Sequence, residues 1–413
     1  MEKNNLIKYE NGQLQKVGNT IAVTNKLLSL FEPQLIPYRK KDKWGFCTPD
    51  KKIVIDCVYD EVEEFKSRLA AVRQRTKWGF INQKGKLVIP CSFENKYRPY
   101  FSEGLAAVQL NKKWGFINWD GEIIIPFSFS ETGNFREGLA SVELKGKWGF
   151  INQLGDVVIP YSFENKYAPF FSEGLAIISL NEKQGFINQK GEIVIPCFLD
   201  YSPYSMFKDG NARVELNGRH GVINKNGDWL INPKTFDEIR NFSEGLAAIQ
   251  LNGKSGFVNK KGEVVIPCLY DCAMDVSEGL VIVEFNNKWG VINIKGEIII
   301  PFNFELPNRI VGVEWGFYEG VAGFKQNGKG GFMDIGGKVV IPCIFDEVYD
   351  FKNGLAKVNM KDKCGFIDIT GNIVIPCIYD CSSWHYKSGL VEIKMNKKLL
   401  GYTNKEGVQF WED

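Results

Sequence analysis

Histidine is nearly absent from this chain: His220 and His385 are the only two in 413 residues. A zinc site built on spaced His and Cys ligands therefore has almost nothing to draw on, and no such spacing occurs. No run approaches the ~20 apolar residues of a membrane-spanning helix. Neither charge sign dominates: 51 basic and 49 acidic residues are spread evenly, for a net charge of +2. A nucleic-acid binder would be expected to cluster its basic residues, and no basic block is present. The first residues, Met1 to Gly12, carry Glu2, Lys3, Lys8 and Glu10, which is not the pattern of a secretory leader. The expectation is a cytoplasmic protein with no cofactor, no metal, no nucleic-acid partner and no membrane span.

What the chain does contain is repetition. A Lys-Trp-Gly-Phe-Ile-Asn signature recurs with central glycines Gly45, Gly79, Gly115, Gly149, Gly185, Gly221, Gly256, Gly290, Gly331, Gly365 and Gly401. The intervals are 34, 36, 34, 36, 36, 35, 34, 41, 34 and 36 residues. A fixed period of this size denotes units that stack on their neighbours. Residues 1–33 fall outside the repeat and read as an N-terminal cap, with a possible short helix over 19–31 ended near Pro33. Residues 34–413 form the array.

The third copy illustrates one unit. Leu105 to Leu110 reads as a strand, Asn111-Lys112 as a tight turn and Trp114 to Asn118 as a second strand. Asp120-Gly121 is a hairpin turn, and a third strand over 122–125 is closed by Pro126. An aromatic loop follows. The turn glycine lies six residues after the central one in ten of eleven copies, with Lys51 the exception. No helix pattern follows these glycines, so they do not form a phosphate-binding loop.

Counting by position separates builders from candidates. Six cysteines, Cys57, Cys91, Cys197, Cys268, Cys343 and Cys377, share a slot that elsewhere holds Phe127, Tyr161 and Phe302. A slot that accepts Phe is a buried apolar position rather than a ligand or a disulfide half. Glu103, Glu137, Glu173, Glu244, Glu278 and Glu319 recur in a Ser-Glu-Gly corner and read as acceptors for backbone N–H groups. The paired acids Asp60-Glu61, Asp237-Glu238 and Asp346-Glu347 read as structural in the same way. Cys381 and His385 lie four residues apart, without the orienting third group of a nucleophilic dyad. No enzyme is expected.

With Lys77-Trp78-Gly79-Phe80, Lys113-Trp114-Gly115-Phe116 and Lys147-Trp148-Gly149-Phe150 in register with the turn glycine and Ile-Pro, the chain resembles bacterial WG-repeat (KWG-repeat) proteins. The resemblance covers about residues 34–413. It implies a binding or scaffolding array with no catalytic residues to carry over. Tryptophan is replaced in six copies by Gln184, His220, Ser255, Gly330, Cys364 and Leu400, whereas the glycine is never replaced.

The fold expected is all-β: about eleven three-stranded antiparallel meanders in an open superhelical solenoid. A propeller-like closed ring is the alternative. Closed propellers usually have four to eight blades, and the two ends show no obvious shared blade. Function is sought where the repeat is interrupted. The candidate binding residues are Trp119, Trp229, Trp315, Trp384, His385 and Tyr386, with the insertion near 306–316 as a further contact. A protein partner on an extended surface is the first expectation, and a glycan stacked on exposed aromatic rings is the alternative.

Overall fold

A computed structural model describes residues 34–66, 68–202, 205–305, 316–380, 389–396 and 398–413. It also gives the backbone of three short strands, Lys8–Glu10, Gln13–Gln15 and Tyr386–Lys387. The expected helix over 19–31 and most of the cap lie outside the described residues. Everything described is strand, turn or loop, with no helix.

Each central glycine sits in its own small sheet, antiparallel throughout except for one parallel strand on the first; eight of these eleven sheets have four strands while three have three. In the third copy the order is Phe101–Ser102, Leu105–Leu110, Lys113–Ile117 and Ile123–Phe129. The three long strands are those expected from the sequence. The short first strand comes from the aromatic loop, whose brief pairing has no alternation of its own to reveal it.

Proline does not end the third strand, as had been expected; the strand runs through Pro126 to Phe129. This is the outer edge strand of its sheet. A residue without an N–H is tolerated there because no neighbour needs that donor. Pro126 also lies in a bulge. Trp114 faces Phe129 and Phe116 faces Ile125, so Gly115 alone stands opposite three residues. The bulged backbone descends onto the glycine. A Cβ on Gly115 would lie 2.6 Å from the Ile125 carbonyl oxygen and 3.0 Å from Phe127 Cδ1. The glycine that never varies is thus a close-approach residue within a strand.

The slot that holds Cys or Phe covers this glycine. Cys197 Sγ and Tyr161 Cδ1 would each stand 2.9 Å from a Cβ on their respective glycines. These cover residues are half-buried rather than buried as expected, because only their glycine-facing side is enclosed.

The turn glycine has a different role. Gly121 needs its φ of +82°, and it also packs against the Ile89 side chain of the preceding repeat. Lys51, the exception, keeps the same left-handed conformation with φ of +64°.

The core is shared between neighbours rather than held within one unit. Leu105, Ala107, Phe116, Ile125 and Phe129 of the third repeat cluster with Phe135, Ala140, Val142 and Ile151 of the fourth. A ring pair recurs at this joint: Phe116 meets Phe135 at 4.9 Å, Phe150 meets Phe171 at 4.9 Å and Phe332 meets Phe351 at 4.8 Å. Tilted and edge-on pairs of this kind add about 0.5–1.5 kcal/mol beyond area burial. Each unit alone would leave exposed the apolar face it shares with its neighbour, as in other repeat arrays.

The last repeat meets the first. Trp411–Glu412 lies parallel to Ile36–Lys40, with Arg39 opposite Trp411 and Lys40 opposite Glu412. Leu390, Tyr402 and Phe410 share a core cluster with Leu35, Tyr38, Trp44 and Phe46. Arg39, only 3% exposed, reaches Asp413 at 2.6 Å and also donates to the Leu400 carbonyl. Tyr38 donates to Glu412 at 2.6 Å, and Lys398 pairs with Asp42 at 2.6 Å.

The all-β tandem array is as expected, but the open form is corrected: the circuit of sheets is closed. Blade number did not decide this, because the joining segment is short and its partner strand lies more than 370 residues away. None of the individual sheets closes into a barrel.

Two predictions follow from these geometries. Gly115→Ala should cost about 3 kcal/mol or more, through backbone overlap beneath the bulge. Gly138→Ala, in open space at φ of +83°, should cost only about 1–2 kcal/mol of left-handed strain. Denaturant midpoints compare the two, and equal losses would refute the close-approach account. Truncation after Gln409 removes the acceptors of the Arg39 and Lys41 amides, the carbonyls of Phe410 and Glu412. Exchange at those amides should rise at least tenfold while the fifth repeat is unaffected.

Candidate functional site

The recurrent acids are consumed in joining repeats. The two carboxylate oxygens of Glu103 accept from the backbone N–H groups of Glu137 at 2.8 Å and Gly138 at 2.9 Å. Glu244 holds Glu278 and Gly279 in the same way, and Glu278 holds Glu319 and Gly320. The acids do accept backbone N–H groups, as expected, but the donors belong to the next repeat's corner. A serine precedes four of these acids and adds a second tie: Ser102 Oγ donates to the Phe135 carbonyl and Ser172 Oγ to that of Phe207, both at 2.7 Å.

Asp60, Asp237 and Asp346 form a third set. Asp60 accepts from Lys43 at 2.6 Å and from the Arg75 amide. Asp237 accepts from the Asn252 amide at 2.6 Å, and Asp346 from Lys329 and the Lys361 amide. Each therefore clamps the next repeat's hairpin turn. The lysine ammonium beside Asp60, Asp200, Asp271 and Asp346 holds each carboxyl below its ordinary value. Among the described residues, no group of three His, Cys, Asp or Glu side chains could hold a metal ion. His220 is half-buried, 3.7 Å from Glu215, and burial foremost lowers its pKa.

The candidate tryptophans scatter. Trp119 is half-buried instead of exposed, stacked on Phe101 with centroids 3.8 Å apart and planes 13° from parallel. The Arg68 guanidinium lies 5.6 Å from its ring. Trp229 begins the third strand of the sixth repeat and covers Gly221. Trp315, Trp384 and His385, with Cys381 and the 306–315 insertion, lie outside the described residues. The Tyr386 backbone pairs with Val391. Among the described residues, Trp119 and Trp229 belong to different repeats and different core clusters.

A groove does form where the second and third repeats meet, with a volume of about 480 Å³. It is built on the loop that follows Phe93. Asn95 anchors that loop by donating to the Ala107 carbonyl at 3.1 Å and accepting from the Gln109 amide at 2.8 Å. Pinned at Asn95, the loop projects Tyr97, 74% exposed, and Tyr100, 42% exposed. Arg98 pairs with Glu63 and Arg73 with Glu61. The Arg73 guanidinium lies 5.6 Å from the ring of Trp78, and Phe101, backed by Trp119, lines the same groove.

Sequence reasoning missed these residues, although a signal was present. Ser92 to Tyr97 recurs as Ser162 to Tyr167, and Asn165 repeats the anchoring bonds of Asn95. The copies diverge immediately afterwards, where Ala168 and Phe170 replace Arg98 and Tyr100. A smaller groove of about 260 Å³ lies between the sixth and seventh repeats, lined by Lys208, Arg213 and Arg240 among others.

The model of the WG containing repeat matches ten consecutive segments, from 44–78 to 365–398. The chain belongs to the WG containing repeat family. No curated protein sequence matches it. Among solved structures, the chain is similar to a crystal structure of the eukaryotic initiation factor, with 12% identity and a TM-score of 0.42. That match covers 83% of this chain and 94% of the other. It is also similar to the extracellular domain of the one component system BT4673 from B. thetaiotaomicron, with 11% identity, a TM-score of 0.32 and coverage of 92% and 65%. Likenesses this loose carry no argument about function. In WG-repeat terms, Trp44, Trp78 and Trp148 of the name-giving motif are buried core residues.

The acids joining the WG repeats give a pH prediction. The pKa values of Asp60, Glu173, Asp200, Asp271 and Asp346 are lower in the folded chain than in the unfolded one. The stabilisation is therefore full above the ordinary values, 3.8 for Asp60 and 4.5 for Glu173, and is lost as pH falls through the lowered ones. The thermal midpoint should be flat from about pH 7 to about pH 5 and fall below about pH 4.5. Glu173→Gln should make that acid-side fall shallower.

Proposed function

We propose that this WG-repeat ring is a non-enzymatic scaffold that binds a protein partner along its outer strands. One observation carries the reading. The position that opens the third strand is apolar and exposed in nine repeats: Ile53, Leu87, Ile123, Val157, Ile193, Val264, Ile298, Val339 and Ile373, from 39% to 59% exposed. Isolated exposed aliphatic residues are ordinary, but the same position repeated around a closed array forms an extended surface.

The edge strands carrying these residues are guarded against indiscriminate pairing by their bulge and by proline, as at Pro90, Pro126 and Pro160. Side chains, rather than strand addition, are left to make the contact. The recurrent corner and turn acids, with several of their lysine partners, are engaged between repeats. The insertion at 306–315 would add a local contact.

The test is quantitative cross-linking and recovery of partners with Ile123→Lys, Ile193→Lys and Ile298→Lys combined. Exposed substitutions of this kind should shift stability by no more than about 0.5 kcal/mol each. Partner recovery should fall at least tenfold. A partner set unchanged by the triple variant and by deletion of 306–315 would refute the scaffold reading.

A further inference from the structure

The groove between the second and third repeats contains donors that the protein leaves unused. Trp78 is 1% exposed, and its Nε1–H has no acceptor. Its counterpart Trp148 donates to the Asn165 carbonyl at 2.8 Å. Asn95 occupies the position of Asn165, but its carbonyl does not close the equivalent bond. The Nε–H of Arg73, beside that indole, is likewise buried and without an acceptor. A buried donor left unsatisfied costs about 1–3 kcal/mol. Two on one groove wall mark a place where an incoming oxygen would be welcome.

The rest of the groove narrows the class of ligand. Glu61, Glu63 and Glu64 nearly balance Lys66, Arg73, Lys96 and Arg98, and two ion pairs already join them. A charge-balanced groove offers little to a strongly acidic or basic ligand. It does offer paired carboxylate and guanidinium edges, which both accept from and donate to hydroxyl groups. Tyr97 and Tyr100 add flat apolar faces at the mouth. The ammonium groups of Lys96 and Lys66 lie 5.3 Å and 5.0 Å from those rings. Exposed contacts of that kind are worth only about 0.5–1 kcal/mol and are readily displaced. The volume falls within the ~300–1,000 Å³ range of small-ligand sites.

We propose that this groove binds a neutral oligosaccharide. A pyranose ring packs on Tyr97 and Tyr100, and a ring substituent oxygen accepts from Trp78 Nε1 and Arg73 Nε once the Arg73 side chain swings toward it. The site lies apart from the outer aliphatic positions, so it stands or falls independently of the protein-scaffold reading.

The experiment is calorimetric titration of the full chain with chitotetraose, cellotetraose and maltotetraose, alongside an acidic peptide. At least one tetrasaccharide should bind saturably. Trp78→Phe keeps an aromatic ring and removes the N–H, and should weaken that binding about tenfold. Without sugar, its denaturation midpoint should fall modestly, through the packing lost when a smaller ring replaces a buried indole, offset in part by removal of the unsatisfied donor. Tyr97→Ala, at an exposed position, should weaken binding without altering stability and guards against a folding defect in the first variant. The proposal is overturned if no tetrasaccharide binds, if binding survives both substitutions unchanged, or if only the peptide binds in a Trp78-dependent way.

Discussion

The constraint on which the rest depends is the descent of a bulged edge strand onto a glycine that has no side chain to resist it. At Gly115 the carbonyl of Ile125 and the backbone of Phe127 occupy the volume a Cβ would need. This contact sets the path of the third strand. It turns Ile125 inward, leaves Pro126 on the rim and lays the next residue over the glycine. The inward isoleucine then becomes the surface on which the following repeat rests, through Gly155. One close approach inside a repeat therefore propagates into the joint between repeats.

That joint is made several times over with inexpensive parts. Phenyl rings meet in the core, serine and glutamate reach the next corner, and an aspartate or glutamate clamps the next hairpin. No single tie is strong, since most are exposed and screened by solvent. Their number gives the nearest-neighbour coupling expected of a repeat protein. The closing joint differs from the others. Its strands are parallel, and Arg39, Asp413, Tyr38 and Glu412 supply contacts not repeated among the described residues of the array. A unique joint allows the ends to recognise one another rather than any interior repeat.

With the invariant residues spent on construction, differences in surface chemistry are left to what varies. The outer aliphatic positions vary little in character, whereas the grooves between repeats vary greatly. Asn95 and Asn165 hold two loops in the same way, yet Arg98 and Tyr100 give one of them a polar, aromatic opening where the other has Ala168 and Phe170. Duplication followed by local divergence accounts for a site that occurs in one copy of an otherwise regular scaffold. Interruption of the repeat is most conspicuous at its extra tryptophans, and two of these serve packing. Trp119 and Trp229 broke the pattern because they pack within it, one against Phe101 and the other over Gly221.

By itself the sequence determined the unit: three strands, a positive-φ turn glycine, an acid serving as a backbone acceptor, and a tryptophan that could be lost while its glycine could not. These are local matters, written in turn chemistry and in residues recurring at fixed spacing. The sequence also set the register of all eleven copies. Tertiary structure decided what spacing cannot encode. Whether the array closes depends on Trp411 finding Arg39, a pairing with no periodic signature. The bulge at Pro126 depends on how two strands accommodate unequal lengths, and proline alone reads as an end. The groove depends on side chains from two repeats meeting, Arg73 and Trp78 from one and Tyr97 to Tyr100 from the loop that follows. Repetition revealed the parts, and contact between the parts decided the surface they leave open.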